Sequence, residues 1–292
     1  MRAAVCGSPI AHSLSPALHR AAYAELGLEG WEYEALEVDE EGLPALVASL
    51  DAGWAGLSLT MPLKRAVLPL VDEVDAFARA VGAVNTVVVT PRHGGPGDGG
   101  PGDGGPRGAP GRAGVRLRAE NTDVHGVLAA LAGAGAERVG SGAVVGGGAT
   151  ARSALVALLR AGCPRPVAVV RSPERAAQLR TVAERVGGRV DVRDWSQLPA
   201  VADADVVVST VPADASEAVA GVLTGARPLL LDVVYAPWPT PLARAWGGPV
   251  LGGFEMLLHQ AAAQVELMTG RSAPLAAMRE AGLAVLRSRQ PR

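Results

Sequence analysis

The sequence predicts an α/β protein of two domains, the second built on a doubly wound parallel sheet. Three observations carry this prediction. The chain has 292 residues, enough for two domains of ordinary size. Hydrophobic residues make up 49% of it, enough for a sizeable core. From Asp123 onward, short apolar β-prone runs alternate with helical stretches, the pattern of a parallel sheet with helices on both faces.

The elements follow in order. Ala3–Cys6 reads as a short buried strand. Ser15 and Pro16 read as an N-cap and a proline at the first helical position, opening a helix to about Leu26. Trp31–Val38 alternates like a strand, Gly56–Leu59 is another, and Val84–Val89 is a clear β run. Residues 91–114 are nearly all Gly, Pro, Asp and Arg and cannot form a packed core. They are expected to be a flexible insertion extending a hairpin turn between Thr86–Val89 and Val115–Arg118. A helix is expected from Asp123 to about Leu131. Strands are expected at Ala143–Val145, Val167–Val170, Val206–Ser209 and Leu229–Asp232. Glu255–Thr269 and Pro274–Arg287 read as two closing helices that pack back on the first domain, with Pro274 in the first turn. The expected domains are 1–120 together with about 257–292, and 121–256.

Charge and composition exclude several functions. The net charge of −2 gives no basic surface for nucleic acid or an anionic membrane. No long apolar run follows the N-terminal charge, so no signal peptide is expected, and no stretch approaches the ~20 apolar residues of a membrane span. Cys6 and Cys163 read as buried thiols rather than a disulfide or metal ligands. No His, Cys and carboxylate cluster has ligand spacing. His12, His19, His125 and His259 read as scattered polar residues, and His93 falls in the insertion. The expectation is a cytoplasmic protein with no metal, nucleic-acid or membrane partner, either monomer or homodimer.

The composition is also skewed. Lysine occurs once (Lys64), isoleucine once (Ile10) and asparagine twice (Asn85 and Asn121), while arginine is abundant. Arginine cannot lose its proton near neutral pH and lysine can, so a lone lysine hints at proton chemistry rather than charge alone.

Two regions carry chemistry. Ala143–Ala151 fits a strand, a glycine turn and a helix start. Gly146 permits the tight turn, and Gly148 lets the backbone approach a pyrophosphate at the helix N-terminus. This defines a Rossmann-like domain. Where an NAD enzyme usually places Asp or Glu after the second strand, the chain has Arg171-Ser172-Pro173-Glu174-Arg175. Arg171 and Arg175 can clamp a 2′-phosphate, which points to NADP. Elsewhere stand Ser13-Leu14-Ser15, Ser58-Leu59-Thr60-Met61-Pro62-Leu63-Lys64, Ala83-Val84-Asn85-Thr86 and Glu120-Asn121-Thr122-Asp123-Val124-His125-Gly126. Such hydroxyls, amides, lysine and carboxylate suit a small polyhydroxy acid. Ser15 can cap the helix; Ser13 has no such role. Each cluster alone is ordinary turn chemistry.

Taken together and in order, these motifs resemble the shikimate dehydrogenase family from end to end. The resemblance rests on S-x-S, N/S-x-T-x-P-x-K, G-A-x-N-T and N-T-D-x-x-G. The glycine turn, the Arg after the second strand, and Gly253, Met256 and Gln260 in a late G-x-x-M-x-x-x-Q complete it. It implies reversible NADPH-dependent reduction of 3-dehydroshikimate to shikimate, with the cleft between the domains. Ser13 and Ser15 would hold the substrate carboxylate. Thr60, Asn85, Asp123 and Gln260 would bind its ring hydroxyls, with Tyr235 nearby. Lys64 and Asp123 would form the catalytic pair. Gly146, Gly147, Gly148, Ala149, Thr150, Ala151, Arg171, Ser172 and Arg175 would hold NADP, with Val233 and Gly253 lining the nicotinamide. The chain departs from the family pattern at Ala149, Val170 and Ala119, where Gly, Asn and Gly are common, and in the 91–114 insertion. A quinate or aminoshikimate enzyme would share nearly every motif, and a non-catalytic ligand-binding homologue remains the reading from another class.

Overall fold

The computed structural model describes residues 1–92 and 114–289, so most of the 91–114 insertion, His93 included, lies outside the described residues. The chain divides into two compact units. The first comprises Met1–Arg79, Val84–Thr122 and Ala261–Arg292; the second comprises Ala80–Ala83 and Asp123–Gln260.

The first unit holds a six-stranded mixed sheet. In chain order its strands are β1 (Arg2–Gly7), β2 (Glu32–Glu37), β3 (Trp54–Leu59), β4 (Glu73–Val74), β5 (Thr86–Pro91) and β6 (Val115–Glu120), and their spatial order is β2-β1-β3-β5-β6-β4. β1 pairs in parallel with β2 and β3, because helix α1 (Ser15–Glu25) and helix α2 (Leu43–Ala48) return the chain between them. β5 runs antiparallel to both β3 and β6. Every residue of β3 is buried, as its apolar run requires. Leu57, Leu63 and Leu117 are fully buried in the core, and a side chain of this size contributes ~2 kcal/mol when removed from water. Short helices α3 (Leu63–Ala66) and α4 (Ala76–Val81) complete the connections.

Two expectations, at the starts of α1 and β5, need correction. Ser15 is not the N-cap of α1. Leu14 takes that place with helical dihedrals, so Ser15 is the first helical residue and Pro16 the second. Ser13 supplies the capping-type contact instead, accepting a hydrogen bond from the Ser15 N–H at 3.3 Å. The strand expected from Val84 begins at Thr86, because the Val84 N–H turns to the Lys64 carbonyl (2.9 Å) and the Asn85 N–H to that of Glu120 (3.1 Å).

The second unit is a six-stranded parallel sheet. Helix α5 (Asp123–Gly133) leads into β7 (Gly142–Val145), α6 (Ala149–Arg160), β8 (Val167–Val170), α7 (Pro173–Arg185), β9 (Asp191–Asp194), β10 (Val206–Ser209), α8 (Ser216–Leu223), β11 (Leu229–Asp232), α9 (Pro241–Ala245) and β12 (Val250–Gly252). The strand order β12-β11-β10-β7-β8-β9 is doubly wound, and the order reverses between β7 and β10. β7 and β10 are buried along their whole length, as strands covered on both faces must be.

Two helices close the chain, α10 (Gly253–Thr269) and α11 (Leu275–Ser288). α10 begins in the second unit and ends in the first, and α11 packs against α1. Pro274 occupies the N-cap of α11, one place ahead of the expected first turn. No helix among the described residues is long and apolar enough to cross a membrane. Among them no group of three or more His, Cys, Asp and Glu could hold a metal ion.

Candidate active site

Sheet register gathers the first unit's polar motifs at one edge. Gly7 of β1 lies level with Glu37 of β2, and Cys6 lies level with Leu59 of β3. β5 is antiparallel to β3 with Ser58 opposite Thr86, so the start of β5 meets the end of β3. β6 reverses again with Thr86 opposite Glu120, so its end arrives there too. The loop with Ser13, the Thr60–Lys64 turn, Asn85, and Asn121-Thr122 therefore all leave the same side of the sheet. This convergence follows from two antiparallel pairings that no local spacing reveals.

Backbone contacts fix each segment at that edge. The Thr60 N–H donates to the Cys6 carbonyl (2.9 Å), and the Leu63 N–H donates to the Thr60 carbonyl (2.8 Å). A Cβ at Gly7 would collide with Thr60 Cγ2, so only glycine lets these two strands' ends approach this closely. Lys64 stands in α3, half-buried, with its carbonyl held by Val84. The loop before Ser13 is gripped from two sides. Glu37 accepts from Ser8 Oγ (2.6 Å) and from the Ile10 N–H (2.9 Å), and these bonds hold its carboxyl below the ordinary range. Arg289, just past α11, donates to the His12 carbonyl at 2.6 Å.

A buried polar network that no local pattern announces lies beneath this edge. His19, read from the sequence as a scattered polar residue, is fully buried and stacks on Tyr33 with ring centroids 3.9 Å apart. Its Nε2 lies 3.4 Å from Gln264 Oε1. Burial pushes the Tyr33 hydroxyl well above its ordinary value, against the hydrogen bonds it makes with Ser58 and Ser15. Burial also pushes the Cys6 thiol up to about 12, so Cys6 is inert packing rather than a nucleophile.

His19 makes stability pH-dependent with a definite sign. Burial lowers its pKa from 6.5 to about 3, so the unfolded chain takes up a proton that the folded chain refuses. Its contribution is complete above pH 6.5 and is lost as pH falls toward 3. Between pH 7 and pH 5 the wild type should lose about 2 kcal/mol more than a His19→Phe variant, which keeps the stacking ring. Urea unfolding at both pH values measures this. Equal losses in the two proteins would refute it.

The second unit presents its own edge. Gly146 has φ +117°, a conformation that glycine alone adopts readily, and a Cβ there would strike Thr210 Oγ1. Gly147 lies under Arg175, whose Cβ would stand 2.7 Å from an added methyl. Gly148 caps α6 without a side-chain partner, and a Cβ on it would meet nothing within 4 Å. Open space thus stands before the first-turn amides of α6, Ala149, Thr150 and Ala151, which have no intrahelical acceptor. Such a turn at the point where strand order reverses suits a pyrophosphate. Ser172 caps α7 by accepting from the Arg175 N–H at 3.5 Å. Arg171, exposed at the end of β8, lays its guanidinium over the Trp195 ring, 5.3 Å from the centroid. These residues fit a phosphorylated dinucleotide, and Trp195 is a member the sequence did not indicate.

Further along this edge, Gly253 lies against the Val233 backbone so closely that a Cβ would overlap it. The loop carrying Val233 and Tyr235 is anchored by Asp232, which accepts from the Val234 N–H (3.2 Å) and from Thr240 Oγ1 (2.6 Å). Burial raises the Asp232 pKa, against those two hydrogen bonds. Asp123, almost fully buried, opens α5, where a carboxylate is favoured by the helix N-terminus. Gly126, one turn later, admits α10: a Cβ there would stand 2.6 Å from the Met256 carbonyl and 3.0 Å from Gln260 Cβ. Gln260 is nearly buried and donates to the Leu257 carbonyl at 3.0 Å.

One unit thus offers hydroxyls, an amide and a lysine along a single edge, and the other offers a dinucleotide crevice with two arginines. These features define a two-domain nucleotide-dependent oxidoreductase. Family models agree: the shikimate dehydrogenase substrate binding domain matches residues 5–87, and the shikimate 5′-dehydrogenase C-terminal domain matches 253–281. A model described as NADP oxidoreductase, coenzyme F420-dependent, matches 142–235. A shikimate dehydrogenase (NADP(+)) of Synechococcus sp. is 35% identical, with 94% of this chain and 90% of the relative covered. The shikimate dehydrogenase of Mycobacterium tuberculosis superposes with a TM-score of 0.81 at 42% identity, covering 97% of this chain and 99% of that one. The Thermus thermophilus enzyme, solved with NADP(H) and shikimate, gives a TM-score of 0.74 at 31% identity, covering 97% and 99%. The chain belongs to the shikimate dehydrogenase family.

Proposed function

We propose that this protein catalyses the reversible reduction of 3-dehydroshikimate to shikimate with NADPH. The observation that carries the proposal is the sheet register that brings the Ser13 loop, Thr60, Lys64 and Asn85 to one edge. The named activities of the relatives support it. Ser13 and Ser15 offer hydroxyls to the substrate carboxylate. Thr60, Asn85, Asp123, Tyr235 and Gln260 offer the neutral and charged partners that ring hydroxyls need. The glycine turn, Ser172, Arg171 and Arg175 hold the dinucleotide, with Val233 and Gly253 beside its nicotinamide.

Reduced NADP, when bound, supplies the hydride. Lys64 as an ammonium stabilises the oxygen that gains charge and passes it a proton, completing the alcohol. In the oxidative direction the Lys64 amine takes that proton back. Asp123, the second member of the proposed catalytic pair, offers its carboxylate to the reacting hydroxyl. Following NADP⁺ reduction by absorbance, with shikimate and quinate side by side, tests the reading. Turnover should depend on shikimate and be markedly slower with quinate. Absence of shikimate-dependent reduction would refute it, and faster turnover of quinate would favour the sister activity.

A further inference from the structure

Asn85 stands among the proposed ring-binding groups, and the inference here rests on that placement. Gln264, on α10 and 1% exposed, lies between the ends of β3 and β5. The Asn85 carbonyl can only accept, so the Gln264 amide nitrogen must face it, at 3.1 Å. The same nitrogen donates to Thr86 Oγ1 at 3.0 Å. Gln264 Oε1 accepts from Ser58 Oγ (2.8 Å), which accepts from the Tyr33 hydroxyl (2.6 Å). Because the Thr86 oxygen receives a hydrogen from Gln264, its own hydrogen points at Asn85 Oδ1, 3.0 Å away. The Thr122 N–H donates to the same Oδ1 at 2.8 Å, and Asn85 Nδ2 donates to Thr122 Oγ1 at 2.8 Å.

We propose that Gln264 is a positioning residue that, acting through Thr86 and the Asn85 backbone and together with the Thr122 N–H, holds Asn85 in the orientation that meets the substrate as a hydrogen-bond donor. The carbonyl end of the Asn85 amide carries two protein donors, and the nitrogen end is the donating one. Removing the Gln264 donors lets the Thr86 hydroxyl rotate away from Oδ1 and loosens residue 85 at its backbone. The direction of the chain, not merely its presence, is what the site uses.

Steady-state kinetics on the full-length protein separates this from a purely structural role. Gln264→Met should raise KM for shikimate on the order of tenfold, with KM for NADP⁺ within about twofold of wild type. Gln264→Glu, which keeps the shape and removes both donors, should do the same if the methionine variant fails to fold. Met268→Ala truncates a buried side chain on the same helix and leaves every hydrogen bond of this chain in place. It should lower Tm and leave KM for shikimate unchanged. A double-mutant cycle completes the test: Asn85→Ala combined with Gln264→Met should be no worse than Asn85→Ala alone. If the Gln264 variants change KM no more than Met268→Ala does, the proposal is overturned. If Asn85→Ala itself leaves KM for shikimate unchanged, the placement of Asn85 is wrong, and the proposal fails on that separate arm.

Discussion

Replacing Lys64 with alanine should cut turnover by roughly 10²-fold or more, a typical general acid–base contribution, with the fold intact. The fold survives because the backbone at this point is held by main-chain bonds. The Lys64 carbonyl accepts from Val84, and the Leu63 N–H reaches Thr60. Neither bond involves the side chain. The arginine variant is the sharper test. It keeps the positive charge in a chain whose surface already uses arginine for that purpose, but it cannot give up a proton near neutral pH. Lys64→Arg should therefore fail nearly as badly as Lys64→Ala in kcat, while KM for shikimate changes less. Saturating-substrate turnover across pH is the measurement. Near wild-type turnover by the arginine variant would reduce Lys64 to an electrostatic anchor.

The second large effect concerns cofactor choice. Arg171→Asp should shift the NADP-over-NAD preference in kcat/KM by about 10- to 100-fold toward NAD, the scale of one lost charge-assisted bond to a phosphate. Arg171 stands at the end of β8, where the ribose of a dinucleotide falls in this fold, and the Trp195 face holds its guanidinium. Arg175 lies over Gly147 and ties the same helix to the glycine turn. An aspartate at 171 repels a 2′-phosphate and accepts from a 2′-hydroxyl, so the change acts on both cofactors at once. KM for shikimate should not move. An unchanged preference would remove Arg171 from the site.

Much of the fold was legible because its strands are continuous apolar runs. Val167–Val170, Val206–Ser209 and Leu229–Asp232 begin and end where the sequence reading places them. Boundaries failed where a side chain's role depended on backbone dihedrals. Ser15 looked like a cap, yet Leu14 already has helical geometry, and Ser13 accepts the hydrogen bond instead. His19 looked incidental because its partner Gln264 is 245 positions away. Trp195 and the Asp232–Thr240 pair were missed because their contacts are made by packing, and no spacing announces them.

The class of fold, the glycine turn and its arginines, and the singular status of Lys64 can be read from the residues alone. These are local properties, set by periodicity, turn chemistry and residue type. That the Ser13 loop, Thr60, Lys64, Asn85 and Asn121-Thr122 leave one edge of one sheet emerges only from the packed fold, because it depends on β5 and β6 each reversing direction in a particular register. The packed fold alone decides which end of Asn85 is the donor. Hydrogen-bond polarity is fixed by partners on three separate elements, and they meet only once the sheet and α10 are packed.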